Sequence, residues 1–227
     1  MLILKGLFGG LIQVAFFAAL LLIPAGTWHW PRAVYFLAAY GLVNSVSIVA
    51  LALLAPASLE TRLKAPSAKS QPLADKVITP LLIISFFAWL AFIPVEVFHL
   101  RLLPAPSCGV AVFGVFLLVA GYGIIWSTLF QNAFAAPIVK DQSERGQVLI
   151  DTGLYARIRH PFYLGILIFF AGLALWLESY PGVLTLPIVL IFLVARIFIE
   201  EKTLREKLPG YAEYILKVRH RLVPFVW

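Results

Sequence analysis

The sequence is poor in charged residues, acids and cysteine. Charged residues make up 13% of the 227 residues and hydrophobic residues 62%, whereas ordinary globular chains carry roughly 25% charged residues. So few polar residues cannot cover a water-soluble core of this size, which excludes most soluble classes. The lone Cys108 excludes an internal disulfide and provides no metal or redox motif. We therefore expect one membrane-embedded domain over residues 1–227.

Six apolar runs approach or reach the length that crosses a bilayer, which is about 20 mainly apolar residues. They lie at 7–24, 33–54, 78–98, 110–130, 161–177 and 182–199. These runs predict an all-α, polytopic bundle of about six spans, followed by a C-terminal segment, 200–227. Because the link at 178–181 is short, the fifth and sixth helices should form an antiparallel hairpin. Four glycines in the fourth run would allow close helix approach, namely Gly109, Gly114, Gly121 and Gly123.

Lysine and arginine fall almost entirely on one side of the predicted membrane. Of the 18 basic residues, all but three lie on the side that holds both termini and the two long loops. Arg32 and Arg101 lie on the other side, and Arg196 lies within the sixth run. By the positive-inside rule, both termini and the long loops are predicted to be cytoplasmic. The net charge of +7 therefore marks topology and does not indicate a nucleic-acid partner.

The segment DTGLYARIRHPFYLG, residues 151–165, ends a long loop predicted at 131–159. Pro161 suits the first turn of a helix, so His160 is predicted at a helix entrance. Free backbone N–H groups and the helix dipole favour an anionic group there, such as the carboxylate of an amino acid. The alternative is that Arg157, Arg159 and His160 only mark the membrane interface, and their spacing alone favours this alternative.

Arg196, Glu200 and Glu201 lie at the end of the sixth run. Arg196 and Glu200 can share a helix face, and an ionisable residue within a span is a functional candidate. Alternatively, Arg196 reaches the interface and the acids are solvated. The tight hairpin brings His160 and both acids to one membrane face. One wall would then suit a carboxylate and the other an ammonium, and the methionine part of S-adenosylmethionine carries both groups.

Two segments carry a resemblance to a known family. GLYARIRHPFYLG resembles the Gly-x-Tyr…Arg-His-Pro-x-Tyr motif of the isoprenylcysteine carboxyl methyltransferase family, and RIFIEEKTLREKLPGYAEYILKVRHRLVP resembles its C-terminal signature. The stretches LLAPASLETRLKA, ADK, NAF and ERGQ resemble weaker parts of that family, and the paired acids also resemble those of the phospholipid N-methyltransferases. The resemblance covers about residues 53–227. The sequence departs from the family pattern at Ala55, Leu154, Ala156 and Ile158. None of these departures removes a side chain needed for the chemistry.

This resemblance implies an integral membrane methyltransferase that uses S-adenosylmethionine, releases S-adenosylhomocysteine and needs no metal. The cofactor would bind on the cytoplasmic side, where the loop and C-terminal helices close its site. The implied cofactor-binding residues are Gly153, Tyr155, Arg159, His160, Pro161, Tyr163, Leu164, Gly165, Glu200 and Glu201. Arg196 and Glu201 would be catalytic.

The sequence does not identify the methyl acceptor, which we expect to be a hydrophobic or membrane-associated molecule. Membrane lipids are expected to surround the chain. An isoprenylcysteine-like carboxylate needs no base, whereas a phospholipid amine or a small thiol must lose a proton, for which Glu201 or His160 would serve. Arg196 would suit an anionic acceptor. The rival hypothesis is a transporter or a non-enzymatic membrane scaffold, in which Arg196 and Glu200 form a structural ion pair.

Overall fold

The computed structural model describes residues 1–63, 71–134 and 146–227, and the regular elements in these ranges are helical. The two short helices are α3 (Pro56–Leu63) and α8 (Tyr211–Lys217). A π-helical turn, Glu96–Leu100, continues the fourth helix, and a 3₁₀ turn, Gly153–Ala156, precedes the sixth. The six longer helices are α1 (Leu2–Ala25), α2 (Pro31–Leu54), α4 (Leu73–Val95), α5 (Cys108–Gln131), α6 (Pro161–Trp176) and α7 (Tyr180–Lys207).

Five of the longer helices are long and apolar enough to cross a membrane. The exception is α6, whose 16 residues rise about 24 Å, less than the roughly 30 Å of a hydrocarbon core. All six coincide with the six predicted runs, so the prediction of an all-α polytopic bundle is confirmed. The chain is an integral membrane protein.

Two helical segments were not predicted. The helix that contains the last span ends at Lys207 rather than at 199, because the sequence EEKTLREK is polar yet rich in good helix formers and continues α7 beyond its apolar part. The second segment is α3, PASLETRL, whose few apolar residues fall short of a hydrophobic run although Ser58, Leu59 and Thr61 are buried. Both segments extend the helical structure at the end of the bundle where α8 also lies.

The longer helices form a closed ring. Neighbours contact one another in the order α1, α2, α5, α6, α7, α4 and back to α1. Large apolar side chains fill one end of the ring, among them Leu21, Phe36, Trp89, Leu90 and Leu173. We call this the closed end. The opposite end carries α3, the 3₁₀ turn and α8, and we call it the site end.

Glycines set the contact between α5 and α6. A Cβ added at Gly114 would lie 2.8 Å from the carbonyl oxygen of Gly172, and one at Gly121 would lie 2.7 Å from that of Gly165. Such distances leave no room for a side chain, so the predicted close approach is confirmed at these two positions. No atom lies within 4 Å of a Cβ built at the other two glycines of the prediction, Gly109 and Gly123.

The link between α6 and α7 is held at the closed end. The Ser179 hydroxyl accepts a hydrogen bond from the Gly182 backbone N–H at 2.9 Å and donates one to Glu96 Oε2 at 2.6 Å. Arg32 forms an ion pair with Glu178 at 3.2 Å and thereby ties α2 to the same link. The predicted antiparallel hairpin is confirmed.

Part of the orientation argument lies outside the described residues. This applies to positions 135–145 of the predicted loop at 131–159 and to the first two residues of ERGQ. It also applies to four of the basic residues, Lys64, Lys69, Lys140 and Arg145. The cytoplasmic location of the site end therefore stays a prediction from the distribution of basic residues.

Candidate active site

A cavity of about 640 Å³ opens into the site end of the ring, within the range of volumes that hold small molecules and cofactors. It continues between the helices as an apolar arm, lined by side chains such as Phe17, Phe86, Phe169 and Leu186. Its polar end is lined by Arg62, Asn132, Tyr155, Arg159, His160, Tyr163, Arg196, Glu200, Tyr211 and Tyr214. One space thus joins a polar compartment to an apolar one.

Tyr163 connects α6 to the charged residues of α7. Its hydroxyl donates a hydrogen bond to Glu200 Oε2 at 2.7 Å and accepts one from Arg196. Asp75, at the start of α4, is fully buried and interacts electrostatically with Arg196. Arg196, itself only 6% exposed, is therefore held among one tyrosine and two acids.

Glu201 lies one residue further along α7 in a different environment. Its Oε1 lies 2.8 Å from Arg159 Nε and 3.3 Å from His160 Nε2, and its Oε2 lies 3.0 Å from Arg221 Nε. The Arg159 contact is an ion pair without the alignment of a hydrogen bond. With 4% of its side chain exposed, Glu201 is a buried carboxylate surrounded by three basic side chains. Its charge is directed to these residues rather than into the cavity.

The segment after α8 pairs with the start of α6. The backbone N–H of Arg159 donates to the His220 carbonyl at 3.0 Å, and that of His160 donates to the Arg221 carbonyl at 2.9 Å. Arg159 Nη1 also donates to the Val218 carbonyl at 3.2 Å. The sequence predicts free N–H groups at this helix entrance, but the C-terminal segment occupies that of His160, the N-cap residue of α6. A ligand would instead meet the side chains of Arg159 and His160.

The 3₁₀ turn positions Tyr155 at the polar end. Asn132 Nδ2 donates to the Tyr155 hydroxyl at 3.0 Å, and the Tyr214 hydroxyl donates to the Tyr155 carbonyl at 2.7 Å. The turn begins at Gly153, whose φ of +58° disfavours other residues and whose Cβ would lie 2.6 Å from Gln131 Oε1. Gly153 therefore shapes the turn that presents Tyr155.

Burial shifts the pKa of four cavity residues outside the spans, Tyr155, Tyr211, Tyr214 and Arg62. It raises the pKa of Tyr155, of Tyr211 and of Tyr214, and for Tyr155 the nearby Glu200 raises the pKa further. These hydroxyls therefore stay protonated at neutral pH and can donate hydrogen bonds. Burial also lowers the pKa of Arg62 to about 10, which leaves its guanidinium charged at neutral pH.

The structure brings together most of the residues proposed from the sequence. Tyr155, Arg159, His160, Tyr163, Arg196 and Glu200 line the cavity. The remaining predicted residues do not line it in the described parts of the chain. Gly165 packs on α5, Pro161 is fully buried at the first turn of α6, and Glu201 is buried beside its three basic partners. Gly153 is exposed and Leu164 is half-buried. A role for these five in binding stays a prediction.

The sequence reasoning missed several residues that line the cavity or contact the residues that do. Asp75 belongs to the ADK stretch, and Tyr211 and Tyr214 belong to the Gly-Tyr-x-x-Tyr segment, so the resemblance contained the signal without assigning a role. Arg62 lies in the LLAPASLETRLKA stretch and Arg221 in the C-terminal signature, so the resemblance also contained these two residues without assigning them a role. Their positions become apparent only when α3 and the C-terminal segment are placed on the site end.

Comparison with known proteins supports a membrane methyltransferase. Residues 110–209 match the family model described as phospholipid methyltransferase. The matched region contains nearly all of α5 and the whole of α6, α7 and the 3₁₀ turn, and thus Tyr155, Tyr163, Arg196 and Glu200. No curated protein matches the chain. The matched family belongs to the same superfamily of integral membrane methyltransferases as the isoprenylcysteine carboxyl methyltransferases.

Proposed function

We propose that the protein transfers a methyl group from S-adenosylmethionine to a lipidic or otherwise hydrophobic acceptor at the site end of the helix ring. The observation that carries this proposal is the cavity itself. It combines a polar end, built mainly from the region that matches the phospholipid methyltransferase family, with an apolar arm between membrane-spanning helices. A water-soluble donor and a membrane-soluble acceptor would need these two compartments to meet.

The residues at the polar end fit the chemistry of S-adenosylmethionine. Arg159 and His160 present basic side chains that suit a carboxylate, and Glu200 presents a carboxylate that suits an ammonium. The protonated hydroxyls of Tyr155 and Tyr214 supply further hydrogen-bonding capacity. When bound, the cofactor would supply a methyl group on a positively charged sulfur. No metal is proposed, since a sulfonium methyl group already carries its own leaving group.

The side chains would act mainly by positioning and by excluding water. Methyl transfer is an in-line displacement, so holding both reactants in one orientation supplies much of the rate enhancement. Arg196 would contact an anionic part of the acceptor, and its orientation is fixed by Tyr163. Glu200 replaces Glu201 as our proposed acidic residue of the site, because Glu200 lines the cavity and Glu201 does not. For an amine or a thiol, Glu200 or His160 would accept the proton.

The proposal is tested by ligand binding and by methyl transfer. S-adenosylhomocysteine should raise the melting temperature of the purified protein, because a ligand at 100 times its Kd stabilises the folded state by about 2.7 kcal/mol. Methyl groups labelled on S-adenosylmethionine should then appear in a total lipid extract. Glu200→Gln should abolish most of the melting-temperature shift, whereas Glu206→Gln, an exposed site on the same helix, should leave it unchanged.

The absence of any shift at millimolar S-adenosylhomocysteine, in protein that unfolds cooperatively, would overturn the enzyme proposal. It would favour the rival hypothesis of a scaffold or transporter. An equal loss of the shift in the Glu200 and Glu206 variants would overturn the assignment of Glu200 alone.

A further inference from the structure

The apolar arm of the cavity contains hydrogen-bonding side chains that the proposed methyl transfer does not use. They are Gln13 on α1 and Tyr40 and Asn44 on α2, and all three line the cavity. Tyr40 and Asn44 lie one helical turn apart, on the same face of α2. Within the described ranges 1–63, 71–134 and 146–227, none of the three side chains has a hydrogen-bond partner.

Asn44 is the most informative of the three. It is only 6% exposed, so more than nine-tenths of it is buried. A Cβ added at Gly10, on the facing helix α1, would lie only 3.1 Å from Asn44 Nδ2, so glycine at this position allows the amide to pack closely against α1. A buried amide without a partner is unfavourable by about 1–3 kcal/mol, and such groups in membrane spans are normally paired. Asn44 lines the cavity, and its amide atoms are not among the fully buried unpaired side-chain atoms of the described residues, so the amide is accessible to a partner in the cavity.

The position of Asn44 fixes where such a partner lies. Leu51, two turns nearer the site end on the same helix, belongs to the apolar cluster that packs against Phe162, the neighbour of Tyr163. Seven residues of α-helix separate Leu51 from Asn44, which corresponds to roughly 10 Å along the helix axis. The amide therefore lies about that far from the polar end in which methyl transfer is proposed.

We infer that Asn44 is a specificity-determining residue for the acceptor. Its amide hydrogen-bonds to an ester, amide or hydroxyl group that the acceptor carries about 10 Å from the atom that is methylated. An acceptor whose tail is hydrocarbon from that point onward would leave the amide unpaired and would bind less well. The inference rests on the proposed function for the identity of the ligand as the acceptor. Its test uses binding alone, so that the two can fail separately.

The experiment compares two lipids that differ only in the predicted contact. They are the diester and the diether forms of one phosphoethanolamine lipid with identical chains, so that the carbonyl oxygens are present in one and absent in the other. Lipid binding to delipidated wild-type protein and to Asn44→Leu is measured by native mass spectrometry across a titration. The melting temperature of each protein is recorded without lipid.

The wild-type protein should bind the diester more tightly than the diether by about 2- to 12-fold, the range for one net hydrogen bond. Asn44→Leu should lower diester binding to the level of the diether and leave diether binding unchanged. Its melting temperature without lipid should equal or exceed that of the wild type, because leucine replaces an amide that has no partner in the protein.

A matched control lies next in the chain. Ser45→Ala removes a hydroxyl that donates to the Gly41 carbonyl of its own helix at 2.7 Å and does not line the cavity. It should keep the preference for the diester. Equal binding of the two lipids by the wild type, an equal loss of both in Asn44→Leu, binding of neither lipid, or a marked fall in the melting temperature of Asn44→Leu would each overturn the inference. None of these results would bear on the rise in melting temperature that S-adenosylhomocysteine produces, so the proposed function would stand or fall separately.

Discussion

Replacing Glu201 with glutamine tests whether this residue holds the site together rather than contacting a ligand. The change preserves the shape of the side chain and removes its negative charge. Arg159, His160 and Arg221 would then lie around a neutral amide, although Arg159 and His160 have only about one-twentieth of their side chains exposed. Arg221 has another contact in addition, because its guanidinium stacks on the Phe198 ring at 5.1 Å.

The magnitude follows from the burial of the cluster. Removing one partner of a buried ion pair typically costs about 3–5 kcal/mol, because the charges left behind are desolvated and unpaired. For a domain of this size, each kcal/mol lowers the melting temperature by about 2–4 °C. We therefore expect Glu201→Gln to lower the melting temperature by roughly 6–20 °C. The segment after α8, which reaches the start of α6 through Arg221, should become accessible to protease.

The assay is thermal unfolding in detergent, combined with a double-mutant cycle. Arg221→Gln alone should cost less than Glu201→Gln, because Arg221 is 23% exposed. The double variant should be more stable than the sum of the two losses predicts, because it removes a charge that Glu201→Gln leaves unpaired. Glu206→Gln, exposed on the same helix, should leave the melting temperature unchanged.

One result would refute this reasoning. If Glu201→Gln kept the wild-type melting temperature and lost the stabilisation by S-adenosylhomocysteine, Glu201 would contact the ligand directly. The role proposed from the sequence, in which Glu201 binds the cofactor and takes part in catalysis, would then be correct. Loss of stability with residual ligand binding would support the structural role.

Two further predictions concern packing and protonation. Gly121→Ala should lower the free energy of unfolding by about 1–3 kcal/mol in thermal unfolding, because its Cβ meets backbone atoms of α6. Gly123→Ala on the same helix meets nothing within 4 Å and should be neutral. Equal effects of the two changes would contradict the close contact between α5 and α6. Tyr214→Phe removes the hydrogen bond to the Tyr155 carbonyl. Because folding raises the pKa of Tyr214 above its usual value of 10.0, the stability that this group contributes is complete below pH 10 and is lost as the pH rises above it. The variant should therefore lose less stability than the wild type between pH 9 and 11, and an identical decline would contradict the assignment.

The helical architecture could be predicted from the sequence because hydropathy reports membrane spans directly. Runs of about 20 apolar residues leave few alternatives to a helix in lipid, where each backbone group must be paired internally. The same reasoning failed for α3 and for the end of α7, since a helical segment with few apolar residues gives no hydropathy signal. The pairing of His160 with the acids of α7 was also predictable, because the tight hairpin restricts where the ends of α6 and α7 can lie.

The distinction between Glu200 and Glu201 could not be predicted. Adjacent residues on a helix point about 100° apart, so one of the two lines the cavity while the other lies in the wall. Which does so depends on the rotation of α7 about its own axis, and packing against α4 and α6 fixes that rotation. The partners of Glu201 come from segments 41 and 20 residues away in the chain.

The sequence by itself determined that the chain is embedded in a membrane, the number of long apolar helices and the end of the bundle at which charge collects, because composition and hydropathy fix these properties. Only the tertiary structure decided which charged side chains face the cavity. It also revealed the C-terminal segment on the start of α6 and the buried amide of Asn44 in the apolar arm. Those features arise from contacts between distant segments, and a linear pattern does not encode the direction in which a side chain points.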